Sequence, residues 1–288
     1  MDSRNPVTQQ RRLLAELRQA RDAAAMTQQQ AADELEWSLS KLIRIEHGAV
    51  KVGITDLKAM LALYGVTDPT RVDDLVAMAR ASREQRWWDD YRKLINANFL
   101  QYVAFESTAT LHRQFQNSII PGLLQTREYA RSLITVYDKD ETAPVIEQYI
   151  EFRMKRQKAL TNEGAEFFII LDEAVLRRQV GGPAVMREQL AHLKEVAKRP
   201  NISIRILPFS AGTHRAMRAA FNVLEVPTGV DNEVDTVVMM QNTLDDTIIK
   251  NDPDKAAEFV ELFISLEALA TPADRLDEVI DELVSSHS

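Results

Sequence analysis

The sequence predicts two domains of different class: an all-α domain of five short helices, then a mixed α/β (α+β) domain. Three observations predict this. The chain has 288 residues, more than the ~100–200 of a typical single domain. Up to residue 80 the apolar residues recur at helical spacing between tight turns. Beyond residue 90, short β-branched and aromatic runs alternate with longer helical ones. Between them lies ASREQRWWDD, charged and carrying two adjacent tryptophans, so the expected division is 1–80, a linker at 81–90, and 91–288. The tryptophan pair is more simply a packing seam than a platform for stacked bases.

In the first domain, Leu13, Leu14, Leu17, Ala20 and Ala24 share one face of a helix over 8–26. Thr27 reads as the N-cap of a second helix over 28–35, and Ser38 as the cap of a third, with Leu42 and Ile45 inward and Gly48 as its stop. Thr55 or Asp56 is expected to cap a fourth, striped by Leu57, Met60, Leu61 and Tyr64 and stopped by Gly65. Residues 69–80 make a fifth. In the second domain strands are expected at 102–105, 111–115, 167–171, 202–207, 221–226 and 234–240. Helices are expected at 126–136, 144–160, 183–198, 253–269 and 272–284, several opening on proline, whose missing N–H costs nothing in a first turn.

Composition narrows the function. There are no cysteines, which excludes disulfides, thiolate zinc sites, iron–sulfur clusters and cysteine nucleophiles. The five histidines, His47, His112, His192, His214 and His287, are isolated in sequence, so no metal and no cofactor is expected. No apolar run approaches the ~18 residues of a membrane span, and the first residues lack the apolar core of a signal peptide. A cytoplasmic protein with no membrane partner is expected. The net charge of −8 belongs to residues 251–288, which carry ten acidic residues against Lys255 and Arg275. Residues 1–80 balance 11 basic against 11 acidic. The acidic C-terminal segment is therefore expected to face solvent or a basic partner and to stay away from DNA.

Residues 28–46 carry the first functional pattern. A helix-turn-helix needs a small residue where its two helices cross, and Ala31 and Ala32 supply it. It needs an apolar residue closing the first helix, here Leu35, and two on the inner face of the second, here Leu42 and Ile45. Leu39, Ser40, Lys41 and Arg44 then face outward, toward a major groove. Arg44 can pair bidentately with guanine O6 and N7, Lys41 can do likewise or hold a phosphate, Ser40 can bond several base edges, and Leu39 can touch a thymine methyl. Gln28, at a helix N-terminus, and Lys51, in the following loop, suit phosphates. Glu46 reads as a structural partner for a basic side chain.

With MTQQQAADEL, WSLSKLIRIEHG and LALYG in place, residues 9–65 resemble the Cro/repressor-type (Xre family) helix-turn-helix. The resemblance implies a five-helix lambda-repressor-like fold and assigns groove-facing and phosphate-facing roles to Gln28, Ser38, Leu39, Ser40, Lys41 and Arg44. Glu36 departs from it, standing where the family usually has glycine. A left-handed backbone there costs a non-glycine residue about 1 kcal/mol. The balanced charge of this domain limits what one copy neutralises on DNA. A homodimer on a two-fold operator is therefore expected, with half-sites about 34 Å or a multiple apart, assembled through the larger domain.

Three segments stand out in the second domain: IIPGLLQT, LDEAVLRRQVGGP and RPNISIRILPFSAGTHRAM. In this order they resemble the C-terminal domain of WhiJ-like regulators of filamentous, differentiating bacteria, over about residues 88–270. The resemblance implies a transcriptional regulator encoded beside a short partner protein in an antitoxin-like or developmental switch. Loops carrying Arg177, Arg178, His214 and Arg215 are candidates to hold an anionic ligand or the acidic edge of a partner. Pro121-Gly122 and Gly181-Gly182 are more simply turn residues. No enzyme is expected: His214 with Ser210, Asp172 and Glu173 evokes a hydrolase, but Ser210 lies in no GxSxG elbow, and HExxH and glycine-rich phosphate motifs are missing. The expected function is sequence-specific transcriptional regulation controlled through the C-terminal domain. The alternative is an antitoxin-like protein that chiefly inhibits a small partner and binds DNA only for autoregulation.

Overall fold

The computed structural model describes residues 5–137, 141–229, 233–241, 246–250 and 252–285; His287 and the first four residues, which entered the sequence reading, lie outside them. The chain divides into two compact units. One is Met1–Asp89 with Pro227–Asp235, the other Asp90–Val226 with Thr236–Ser288.

The five expected helices are present: α1 Pro6–Ala23, α2 Gln28–Glu34, α3 Leu39–Glu46, α4 Ile54–Leu63 and α5 Pro69–Ala81. Local chemistry sets their starts. Asn5 caps α1 ahead of Pro6, Thr27 and Gln30 form a reciprocal capping box on α2, Ser38 caps α3 and Asp68 caps α5 ahead of Pro69. The fourth start differs from expectation. Gly53, not Thr55 or Asp56, is the N-cap of α4, with no side-chain cap; Asp56 is turned instead toward Lys41.

The ends of α1 to α4 share one device. Ala25, Glu36, Gly48 and Gly65 all have left-handed φ, and the next residue's N–H reaches back five positions to a helical carbonyl: Met26 to Arg21, Trp37 to Ala32, Ala49 to Arg44 and Val66 to Leu61. Glu36, at φ 54°, occupies the strained turn position that its glycine-occupied counterpart implied. Ala31, Ala32, Leu42, Leu57 and Met60 are fully buried at the centre of the unit with Leu13 and Leu17 of α1 and Leu75 of α5.

The second unit opens with α6, Ala97–Glu106, then β1 Leu111–Gln116, α7 Arg127–Tyr137, α8 Ala143–Arg156, β2 Glu166–Asp172, α9 Glu173–Arg177, α10 Pro183–Ala197 and β3 Ile202–Leu207. The chain continues through β4 Ala220–Pro227, β5 Val234–Gln241, β6 Thr247–Ile249, α11 Pro253–Glu267 and α12 Leu276–Ser285, with the end of β4 and the start of β5 counted in the first unit. The sheet order is β3-β2-β1-β4-β5-β6. β1, β2 and β3 run parallel, joined by helical crossovers, and β4 lies antiparallel to β1. Phe167, Ile169 and Leu171 with Ile202, Ile204 and Ile206 pack under α7, α10 and α12. The opposite residues Phe115, Ile170, Phe221 and Val223 pack with Phe263 and Leu266 of α11. Helices thus cover both faces, as a buried parallel sheet requires.

Residues 102–105, expected as a strand, lie inside α6. Asn96 accepts the Phe99 N–H as its cap, and Tyr102, Val103 and Glu106 are buried. A short aromatic and β-branched run reads alike in a strand and a buried helix, and the cap decides. The short strand β6 was not anticipated. The helix expected from 272 starts at Leu276, after a 3-10 turn at Ala273–Arg275. Trp87 and Trp88 lie in a turn, and their rings meet edge to face with centroids 5.4 Å apart; Trp88 is buried.

Candidate nucleic-acid interface

Helix α3 has two chemically distinct sides. Leu42, Ile45 and Glu46 are buried, whereas Ser40, Arg44 and His47 are exposed. The Ser38 hydroxyl accepts the Lys41 backbone N–H at 3.2 Å, fixing the first turn. Leu39 is only partly outward, packing in part against the apolar core. Lys41 places its ammonium 3.1 Å from Asp56 Oδ1 and 3.6 Å from the centre of the Trp37 ring. Lys51 is exposed in the loop after α3.

Glu46 is the anchor of this arrangement. Its side chain is wholly buried and accepts from Arg21 Nε at 2.8 Å and from Gln28 Nε2 at 2.7 Å. The expected basic partner is therefore Arg21 of α1, which also donates to the Met26 carbonyl. Burial pulls the Arg21 pKa down, but the bond and charge of Glu46 outweigh it and leave it raised. Burial, reinforced by Glu46, pushes the Tyr64 hydroxyl up to about 12. One carboxylate thus ties α1, α2 and α3 together. It also commits the Gln28 side-chain amide, the group read as a phosphate ligand, to the protein itself; the backbone at the start of α2 is unaffected by that bond. The roles of Arg21, Trp37 and Asp56 were missed in the sequence, because each depends on a partner 4 to 25 positions away.

In the second unit, the loops following β2 and β3 bring together part of the other candidate set. Asp172 caps α9 and lies 3.8 Å from His214 Nε2. The His214 side chain is only 6 % exposed; its Nδ1 is buried without a hydrogen-bond partner, and its ring meets Phe115 edge to face. Glu173 joins the loops as well, accepting the Phe209 N–H through one oxygen and Arg177 through the other. Arg177 also lies over the Phe209 ring. Arg178 and Arg215 are exposed. Loops at the carboxyl ends of parallel strands are where open α/β sheets commonly place ligands.

The segment after β1 has a structural explanation. Gln125 donates to the Ile120 carbonyl and accepts from Arg153. Gln189 of α10 clamps the Leu124 carbonyl and the Thr126 N–H, and the Tyr129 hydroxyl accepts the Ile120 N–H. These side chains satisfy backbone groups of a buried segment whose own regular structure is one 3-10 turn, Gly122–Leu124.

The arrangement of α2 and α3 is that of a helix-turn-helix, and a family described as helix-turn-helix domain matches residues 12–75. The first unit is thus the DNA-binding element of a regulator. A second family, described as a domain of unknown function, DUF5753, matches residues 99–282, and the chain belongs to that family. No curated protein and no solved structure matches the chain significantly. Among the described residues no helix is long and apolar enough to cross a membrane.

Proposed function

We propose that the chain is a sequence-specific transcriptional regulator, in which α3 enters the major groove and the second unit supplies dimerisation and control by a small partner protein or ligand. The observation that carries this reading is the division of α3. Leu42, Ile45 and Glu46 lock its inner side, leaving Ser40 and Arg44 exposed with Lys41 between them. The likeness of residues 9–65 to Xre-type domains, and of the second domain to WhiJ-like regulators, supports the same reading. The even balance of basic and acidic residues in the head favours two copies on a two-fold site, since one copy neutralises few phosphates. The candidate control site comprises the loops carrying Arg177, Arg178, His214 and Arg215. The reading has no catalytic step.

Hydroxyl-radical footprinting of the full chain on the DNA upstream of its own gene tests the proposal. It predicts two protected half-sites centred about 34 Å, or a multiple, apart. Uniform weak protection that vanishes with added salt contradicts it. The antitoxin-like reading predicts instead a small protein that co-purifies stoichiometrically and whose inhibition does not require Arg44.

A further inference from the structure

Three elements converge on one ammonium group. Trp37 precedes the cap of α3, Lys41 sits in its first turn, and Asp56 lies in the first turn of α4. Lys41 Nζ is 3.6 Å from the Trp37 ring centre and 3.1 Å from Asp56 Oδ1. Arg44, three positions along α3, forms no ion pair among the described residues. The Lys41 and Asp56 side chains are 39 % and 35 % exposed, and pairs this open contribute little to stability. The helix is held from its other side by Leu42, Ile45 and Glu46. The contact therefore acts on where the ammonium is, not on whether the domain folds.

A free lysine is a mobile point charge on a four-carbon stem, suited to following a phosphate. This one is tethered. Of its three N–H donors, one serves Asp56, and the ammonium also lies against the face of the indole. The Lys41 side chain stays 39 % exposed, with donor capacity left for a single acceptor such as N7 or O6 of guanine. Exclusion of water on docking strengthens both tethers.

We propose that Asp56 and Trp37 are positioning residues that make Lys41 a base reader rather than a phosphate clamp. This rests on α3 being the groove helix. The carboxylate of Asp56, close to the DNA surface, also lowers affinity for arbitrary sequence, so selectivity is gained at the expense of non-specific binding.

The test is selection of binding sites from a randomised duplex pool, with anisotropy on random-sequence DNA, for the full chain as wild type, Asp56→Asn, Trp37→Leu and Lys41→Ala. Asp56→Asn should bind random-sequence DNA on the order of threefold more tightly while losing preference at one base pair. Lys41→Ala should lose preference at that same base pair, and Trp37→Leu should weaken it there, with the other positions of the site unchanged in all three. Retention of the full preference by Asp56→Asn overturns the proposal, as does a loss at a different base pair from the one Lys41→Ala affects. A wild type that selects no sequence is a separate failure, of the groove reading itself, and shows before any variant is made.

Discussion

The two units put their polar chemistry in opposite places. In the helical unit the buried charge is concentrated in Glu46, and Ser40, Arg44 and Lys51, assigned to DNA, are exposed. In the sheet unit a row of polar groups enters an otherwise apolar interior. His112, Gln114 and Gln116 alternate along one face of β1, and all three are buried. Asn222, opposite Gln114 on β4, is buried with neither atom of its amide bonded. Beside them Glu106 of α6 takes two hydrogen bonds from the buried Arg156 of α8, at 2.5 and 2.9 Å. The helical unit keeps a comparatively simple inside. The second unit instead retains buried polar groups that packing alone would replace with leucine.

The largest effect that would sharpen this contrast is at Glu106. Its loss strands the Arg156 guanidinium in the interior, so Glu106→Ala should destabilise the second unit by about 3–5 kcal/mol, read as a lower urea midpoint. A loss below about 1 kcal/mol would mean that water reaches Arg156 and that the pair is not truly interior.

His112 gives the next. Burial pushes its pKa down to about 4, below the ordinary 6.5, so the unfolded chain takes up a proton that the folded chain refuses. The associated stability is complete above pH 6.5 and is lost as pH falls from there toward 4, by about 3 kcal/mol. Urea unfolding at pH 7 and pH 4.5 should show this loss for the wild type and a smaller one for His112→Phe, which keeps the stacking on Phe167. Equal losses in the two would mean that His112 does not set the acid sensitivity of the fold.

In the helical unit, Glu46→Ala should cost about 2 kcal/mol, less than at Glu106 because Arg21 keeps its bond to the Met26 carbonyl and its ion pair with Asp22. Two smaller changes should stabilise. Asn222→Leu removes an amide with no partner and should gain about 1 kcal/mol, and Glu36→Gly relieves a left-handed residue for a similar gain of about 1 kcal/mol. If Asn222→Leu destabilises instead, the amide is satisfied by bound water, and the two interiors differ less.

The same contrast explains what was legible in the sequence. Caps at Thr27 and Ser38 and stops at Gly48 and Gly65 are local, each settled within a few residues, so the helices of the head could be placed closely. Ala31, Ala32, Leu42 and Ile45 have spacing with one physical meaning. Residues 102–105 failed because an aromatic run has no period of its own, and the cap that decides it, Asn96, stands outside the run. The partners of Lys41 and Glu46, and the register that sets Asn222 against Gln114, depend on tertiary approach, which no local pattern carries.

The outward side of α3 is tested most directly by fluorescence anisotropy of the full chain on its upstream DNA and on a scrambled duplex, for wild type and Arg44→Ala. The prediction is that wild type prefers the upstream sequence, and that Arg44→Ala loses the preference while keeping weak, salt-sensitive binding to both. An Arg44→Ala protein that discriminates as well as wild type would contradict the assignment of α3 to the groove.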